Sequence, residues 1–391
     1  MPAFDPSDAA DRYLGALSPN LRAAGAAFAQ QREAAWLVGG ALIIAAAVVA
    51  LKLGLIGRLS AALQARRPRP WLAGALCAAT LLFIVVLVKL PLDVANEWLG
   101  DRTRLGPTAS ILVYLARVWS GDFMAILVLT IVLTLMLALA RVAPRTWWIW
   151  GGAVLGAVAI ILIWGPYAAR TGPAPLPPLP AGPARDGMLK LIHDAGLSAH
   201  QVYLVPSPEV DGDVTGLPGQ ARVVVNQGMV QEASVGEMRA TIGHLAGHFV
   251  HGDQFGLALL LAVMIAASLL VIDRLHGPLA RRLGAPGVQG LADPAGLPVW
   301  LILVVLCLGA ATVAERTYVR WINVRADQFS LDHAREPDGL ALDLLRNWRD
   351  DKVDPGPVEE AIFFDHPSLQ HRLEHAMRWK AEHGAALGVV K

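Results

Sequence analysis

The stretch Ala240-Thr-Ile-Gly-His244-Leu-Ala-Gly-His248-Phe-Val-His251-Gly-Asp253 decides how this chain is read. Two histidines four apart lie on one side of a helix, the arrangement that grips a single zinc ion with two imidazoles. In the H-E-x-x-H pattern that uses such a pair, a glutamate follows the first histidine and takes a proton from metal-bound water. Here that place holds Leu245. The metal-gripping half of the pattern is present and the proton acceptor is not.

Around this helix the chain is unusually apolar. Of 391 residues, 55% are hydrophobic and only 17% charged, which points to a polytopic membrane protein. A net charge of +1 gives no case for a nucleic-acid surface. The two cysteines, Cys77 and Cys307, both fall in apolar stretches, where they read as small buried hydrophobes. Six stretches are apolar over a length near the roughly 20 residues that a bilayer demands. They are 36–56, 71–90, 123–142, 147–167, 255–272 and 299–314, the last somewhat short. Tryptophans at their ends (Trp36, Trp71, Trp147, Trp148, Trp164, Trp300) read as interfacial anchors. No cleavable leader is expected, because the first 35 residues are polar and mixed in charge.

Basic residues crowd three loops: Arg58, Arg66, Arg67 and Arg69; Arg141 and Arg145; Arg274, Arg281 and Arg282. With six spans these loops share one side, which the positive-inside rule makes cytoplasmic. The polar segments 168–254 and 315–391 then face away from the cytoplasm. A proline-rich connector, Gly172-Pro-Ala-Pro-Leu-Pro-Pro-Leu-Pro180, suits an extended linker. An amphipathic helix is expected near 186–195, with strands at 201–205 and 221–225. Ser234 and Glu237 then form a capping box that starts the histidine helix. That helix is expected to run on into the fifth span, loosened at Gly252 and Gly256. The tail reads as polar and helical, interrupted around 355–357. Three regions result: 1–35, a four-helix membrane region over 36–167, and a metallopeptidase-like domain over 168–391 that includes the last two spans.

Further segments carry a resemblance. They include Leu90-Pro-Leu-Asp93, the Arg145-Thr-Trp-Trp stretch, Thr215-Gly-Leu with Arg222-Val-Val-Val, and Gly243-His-Leu-Ala-Gly-His248 with Asp253 beyond it. Together they resemble the CAAX prenyl protease (type 1-like) family of integral-membrane zinc metallopeptidases over nearly the whole length. The resemblance implies zinc ligands at His244 and His248, with Leu245 at the general-base position. The family's S-R-x-x-E-x-x-A-D motif supplies a third ligand. Here it reads Val319-Arg320-Trp-Ile-Asn323-Val-Arg-Ala326-Asp327, so Asn323 stands at the ligand position. The resemblance further implies a carboxylate partner for a ligand histidine at Asp327, and residues near bound substrate at His366 and Arg372. The family's N-A-Y-x-T-G edge is altered to Asp211-Gly-Asp-Val-Thr-Gly216.

Three functional elements are thus changed on a surviving scaffold. A general base is worth about 10²–10⁴ in rate, and leucine supplies none of it. A neutral amide is a poorer zinc donor than a carboxylate, so zinc is expected to be held weakly or not at all. His251, about 10.5 Å along the axis from His244, cannot readily share an ion with it. The expected fold is a mainly α, polytopic helical membrane protein with a small zincin-like α/β domain. The expected function is that of a pseudoprotease that binds a peptide or protein ligand in a membrane chamber, in a bacterial inner membrane. Two alternatives stand beside it: an active membrane zinc endopeptidase with a rearranged site, and an adaptor for a paralogous protease.

Overall fold

The computed structural model describes residues 4–66, 69–103, 109–171, 175–217, 219–285, 287–348 and 351–384. Arg67, the side chain of Arg66 and connector residues 172–174 lie outside the described residues. The chain is mostly helical and packs as two compact units. One comprises Ala27–Val158 and Leu261–Thr312; the other comprises the described parts of Met1–Ala26, Ala159–Leu260 and Val313–Lys391.

Among the described residues, five helices are long and apolar enough to cross a membrane: Pro19–Lys52, Pro70–Arg102, Ile111–Val142, Asp253–Arg282 and Pro294–Ala334. The sixth expected span, 147–167, is instead the shorter apolar helix Trp147–Ile163 of 17 residues. At 1.5 Å per residue it reaches about 25 Å, less than the roughly 30 Å of a hydrocarbon core. It stops there because Pro166 has no amide to return to the carbonyl four residues back. The last span is not short: it lies within the 38-residue helix Leu297–Ala334, which also carries Asn323 and Asp327.

In the first unit, two of the expected anchors prove to be core. Trp147 and Trp300 are 0% and 1% exposed, with ring centroids 5.0 Å apart. Each buries its indole because its N–H has a partner: Trp147 donates to Asp273 Oδ1 at 2.7 Å, and Trp300 to the Leu291 carbonyl at 3.0 Å. Arg141, read as a topology signal, also ties the unit together by donating to the carbonyls of Pro70 and Ala292. Cys77 is fully buried, in keeping with its apolar reading.

The second unit is built on a three-stranded sheet in the order β1-β3-β2, with β1 Val202–Val205, β2 Gly212–Leu217 and β3 Gln220–Asn226. β1 runs parallel to β3 and β2 antiparallel. Alternate β3 residues Ala221, Val223 and Val225 are buried, the two valines in one core with Met188, Leu191 and Ile192 of the helix Pro183–Asp194. β2 was not expected, since Asp-Gly-Asp-Val-Thr-Gly has little strand propensity; pairing with β3 overrides it. Groups outside the sheet bond to both outer strands. Leu179 and Leu204 exchange backbone hydrogen bonds with Val202 and Pro177 along β1. Along β2, Tyr167 donates its hydroxyl to the Val214 carbonyl, and Thr215 Oγ1 donates to the Arg170 carbonyl at 3.3 Å.

The histidine helix is Val235–His251. Its capping box forms as expected: Ser234 Oγ accepts from the Glu237 amide at 3.2 Å, and Glu237 accepts from the Ser234 amide at 3.4 Å. Contrary to expectation, the helix does not run on. Gly252 takes a left-handed conformation (φ 68°) and caps it, and a new helix starts at Asp253. Gly243 and Gly247 let this helix press against Leu297–Ala334. A Cβ on Gly247 would come 3.0 Å from Phe329 Cβ and 3.1 Å from Ala326 Cα. Gly247→Ala is therefore expected to destabilise the protein by about 1–3 kcal/mol. Thermal unfolding in detergent checks this, with Gly15→Ala, where a Cβ meets nothing within 4 Å, as the neutral control.

The tail forms Pro337–Asn347, Pro357–Phe363 and Leu369–His383, leaving a break where the prolines were expected to interrupt it. The N-terminal helix Pro6–Gly15 packs on this tail. Tyr13 donates to Asp338 at 2.7 Å, and Lys380 reaches the same carboxylate at 2.6 Å.

Candidate metal centre and the cleft beside it

One helical turn apart, His244 and His248 bring their Nε2 atoms to 3.1 Å, with rings nearly perpendicular at 86°. Two imidazoles on a tetrahedral zinc, each about 2.0–2.1 Å from the metal, place their nitrogens about 3.3 Å apart. The pair is thus set at a ligand-like separation. The opposite side of each ring is fixed by a buried carboxylate. His244 Nδ1 lies 2.8 Å from Asp327 Oδ1, and His248 Nδ1 lies 2.8 Å from Asp253 Oδ2. The aspartates are held in turn. Arg372 donates Nε and Nη2 to the two Asp327 oxygens, both at 2.7 Å, and Arg325 donates to Asp253.

This second layer dictates the chemistry of the first. With ionised aspartates, each Nδ1 carries the ring proton, so both Nε2 atoms present bare lone pairs to each other. Burial pushes the His244 imidazole down to about 4, so a proton is not readily shared between them near neutrality. An electrophile such as a metal ion suits the gap.

The third position does not match. Asn323 is buried, and its Nδ2 donates to the Val319 carbonyl of its own helix at 2.9 Å. It offers at most a neutral carbonyl oxygen. Among the described residues, no group of three His, Cys, Asp or Glu is placed to hold a metal. Leu245 packs partly into the apolar core above the sheet and lines the neighbouring cleft. The donor set therefore fits zinc on its imidazole side, through His244 and His248, and fails it on the anionic side.

A family pattern covers the same ground. Peptidase family M48 matches residues 179–380, more than half of the 391-residue chain. The chain belongs to peptidase family M48.

Among similar proteins, the uncharacterized metalloprotease YhfN of Bacillus subtilis is 25% identical over 307 residues, 75% of this chain and 70% of YhfN. A protease HtpX homolog of Thiobacillus denitrificans is 28% identical over 200 residues, 47% of this chain and 67% of that protein. The crystal structure of S. mikatae Ste24p shares the fold, with a TM-score of 0.55 at 16% identity over 77% of this chain and 76% of that one. The resemblance to membrane metallopeptidases of the CAAX prenyl protease type therefore holds for the chain's family and fold. M48 peptidases generally use zinc.

The remaining expected M48 site residues lie in or beside a cleft of about 510 Å³, lined by His244, Leu245, Thr241, Asp343, His366 and Arg372 among others. His366 is half exposed and pairs with the adjacent Asp365 at 2.8 Å, not with the histidine pair. Arg372 spends its guanidinium on Asp327 and so acts on His244 through that carboxylate. His251 turns its Nδ1 to the Gly247 carbonyl, 2.7 Å away, and takes no part in the pair.

Two contributors escaped the sequence reading. Arg325 lies within the third motif at a position its pattern leaves open; its guanidinium also stacks 4.2 Å over Trp321, the i,i+4 spacing being the available signal. Asp343 accepts from Thr241 Oγ1 at 2.7 Å and from Asn347 Nδ2 at 3.0 Å, and burial pushes its carboxyl up to about 6. Only tertiary packing brings it beside the helix that bears the histidines.

Proposed function

We propose that this M48 chain is a multi-pass membrane metallopeptidase homologue that has lost peptide hydrolysis and keeps a peptide-binding cleft. The observation that carries this is the joint occupation of the base and third-ligand places by Leu245 and Asn323. The base alone is worth about 3–5 kcal/mol of barrier. Loss of the anionic ligand weakens the metal that would activate water. The basic loops Arg58–Arg69, Arg141–Arg145 and Arg274–Arg282 support a cytoplasmic face for that end of the bundle in a bacterial inner membrane.

The test is zinc content of the purified protein by mass spectrometry, with peptide cleavage followed with and without chelator. We expect substoichiometric zinc and no chelator-sensitive cleavage. Stoichiometric zinc with cleavage that His244→Ala abolishes would instead establish the second reading, an active endopeptidase with a rearranged site. The facing lone pairs of His244 and His248 are what favours that reading.

A further inference from the structure

We propose that Asp343 makes this cleft selective for positively charged peptide segments, an inference that rests on the cleft's retaining peptide binding. The argument starts from charges that are already spent. Two cations line the cleft, Arg372 and Lys352. Arg372 is bound by both oxygens of Asp327, and Lys352 by Glu359. Of the three lining carboxylates, Asp211, Asp343 and Asp351, the first two are not matched in the same way. Asp343 receives only neutral donors, from Thr241 and Asn347, and Asp211 receives the Gly212 amide at 2.7 Å. Among the described residues neither forms an ion pair. The cleft therefore carries two carboxylates without an ion-pair partner beside the histidine pair, although the whole chain is nearly neutral at +1.

Position makes Asp343 the stronger of the two. Asp211 is exposed at the rim, whereas Asp343 is partly buried and bonded to Thr241, one turn before His244 on the same helix. A peptide passing the histidines would set a side chain next to it. A carboxylate that gives up hydration and is hydrogen-bonded only by neutral donors is stabilised by an incoming cation; the nearby Arg372 charge offsets only part of the burial cost, and the raised Asp343 titration agrees with that. The volume, about 510 Å³, admits more than one side chain. A bound metal suits the place less well, since no three acidic or imidazole groups converge there among the described residues. A lysine or arginine side chain needs only one such partner.

The experiment uses the full chain in an uncharged detergent and fluorescence anisotropy with three labelled peptides, alanine alternating with arginine, glutamine or glutamate. The arginine peptide is expected to bind about tenfold tighter than the glutamine one, the scale of one charge-assisted hydrogen bond, and the glutamate peptide weaker still. Asp343→Asn, which keeps size and hydrogen bonding, should reduce the arginine-to-glutamine ratio to about twofold or less. Asp211→Asn should lower it by a smaller factor and serves if Asp343→Asn fails to fold. Asp194→Asn, outside the cleft, should leave the ratio unchanged. Equal affinities, a ratio that survives both cleft variants, or no binding of any peptide would overturn the proposal. Mass spectrometry of the recovered peptide separates the two readings. A cut arginine peptide sinks the loss of hydrolysis while the charge preference stands; an uncut peptide with no preference sinks the preference alone.

Discussion

Leu245→Glu combined with Asn323→Glu is expected to yield a protein that purifies with about one zinc per chain and cuts peptides about 10²–10⁴ faster than the natural sequence. The expectation rests on how much of the centre is already built. Both imidazoles are oriented, with Nε2 atoms 3.1 Å apart and both Nδ1 atoms locked to buried aspartates. What remains is one anionic ligand and one proton acceptor. Asn323 sits on the same helix as Asp327, one turn earlier, and Leu245 already faces the cleft. The two changes should act as a unit. Asn323→Glu alone should raise zinc content with little hydrolysis, and Leu245→Glu alone should do neither, since without bound metal there is no activated water to deprotonate. Metal analysis and a peptide assay on the three variants decide the matter. A double variant that stays free of zinc would show that position 323 no longer points at the histidines.

Arg372→Ala should cost about 3–5 kcal/mol of stability, the penalty for leaving one partner of a buried ion pair uncompensated. Asp327 is 3% exposed in its side chain and takes three contacts: two from Arg372 and one from His244. Removing the guanidinium leaves the carboxylate buried with a single neutral imidazole. Arg372→Lys keeps the charge and loses the two-pronged geometry, so it should fall between the two. Thermal unfolding in detergent measures this directly. In the zinc-binding double variant, Arg372→Ala should also weaken zinc, because His244 would no longer be held by an ionised, oriented partner. An unchanged melting midpoint would show that Asp327 finds another donor.

The histidine helix was legible because its signals are local. The i,i+4 pair, the Ser234–Glu237 box and the apolar spacing all lie within one element. The five long apolar helices were legible because length and hydropathy are enough to mark them. What the sequence hid depends on partners distant in the chain. β2 is a strand only because β3 pairs with it, and Trp147 is buried with its indole N–H donated to Asp273. Asp343 joins the cleft because Thr241 reaches it from another helix. The break at Gly252 is the exception, a local signal read as a loosening when a left-handed glycine ends a helix outright.

The partly capped outer strand of the sheet has a bearing on recognition. With the Tyr167 hydroxyl already on the Val214 carbonyl, a chain that extended the sheet alongside β2 would have to displace that phenol or forgo one rung of the ladder. Sequence-blind backbone affinity along that flank is lowered by that rung. On the proposed peptide-binding reading, side groups then carry a larger share of the choice among ligands than main-chain pairing does.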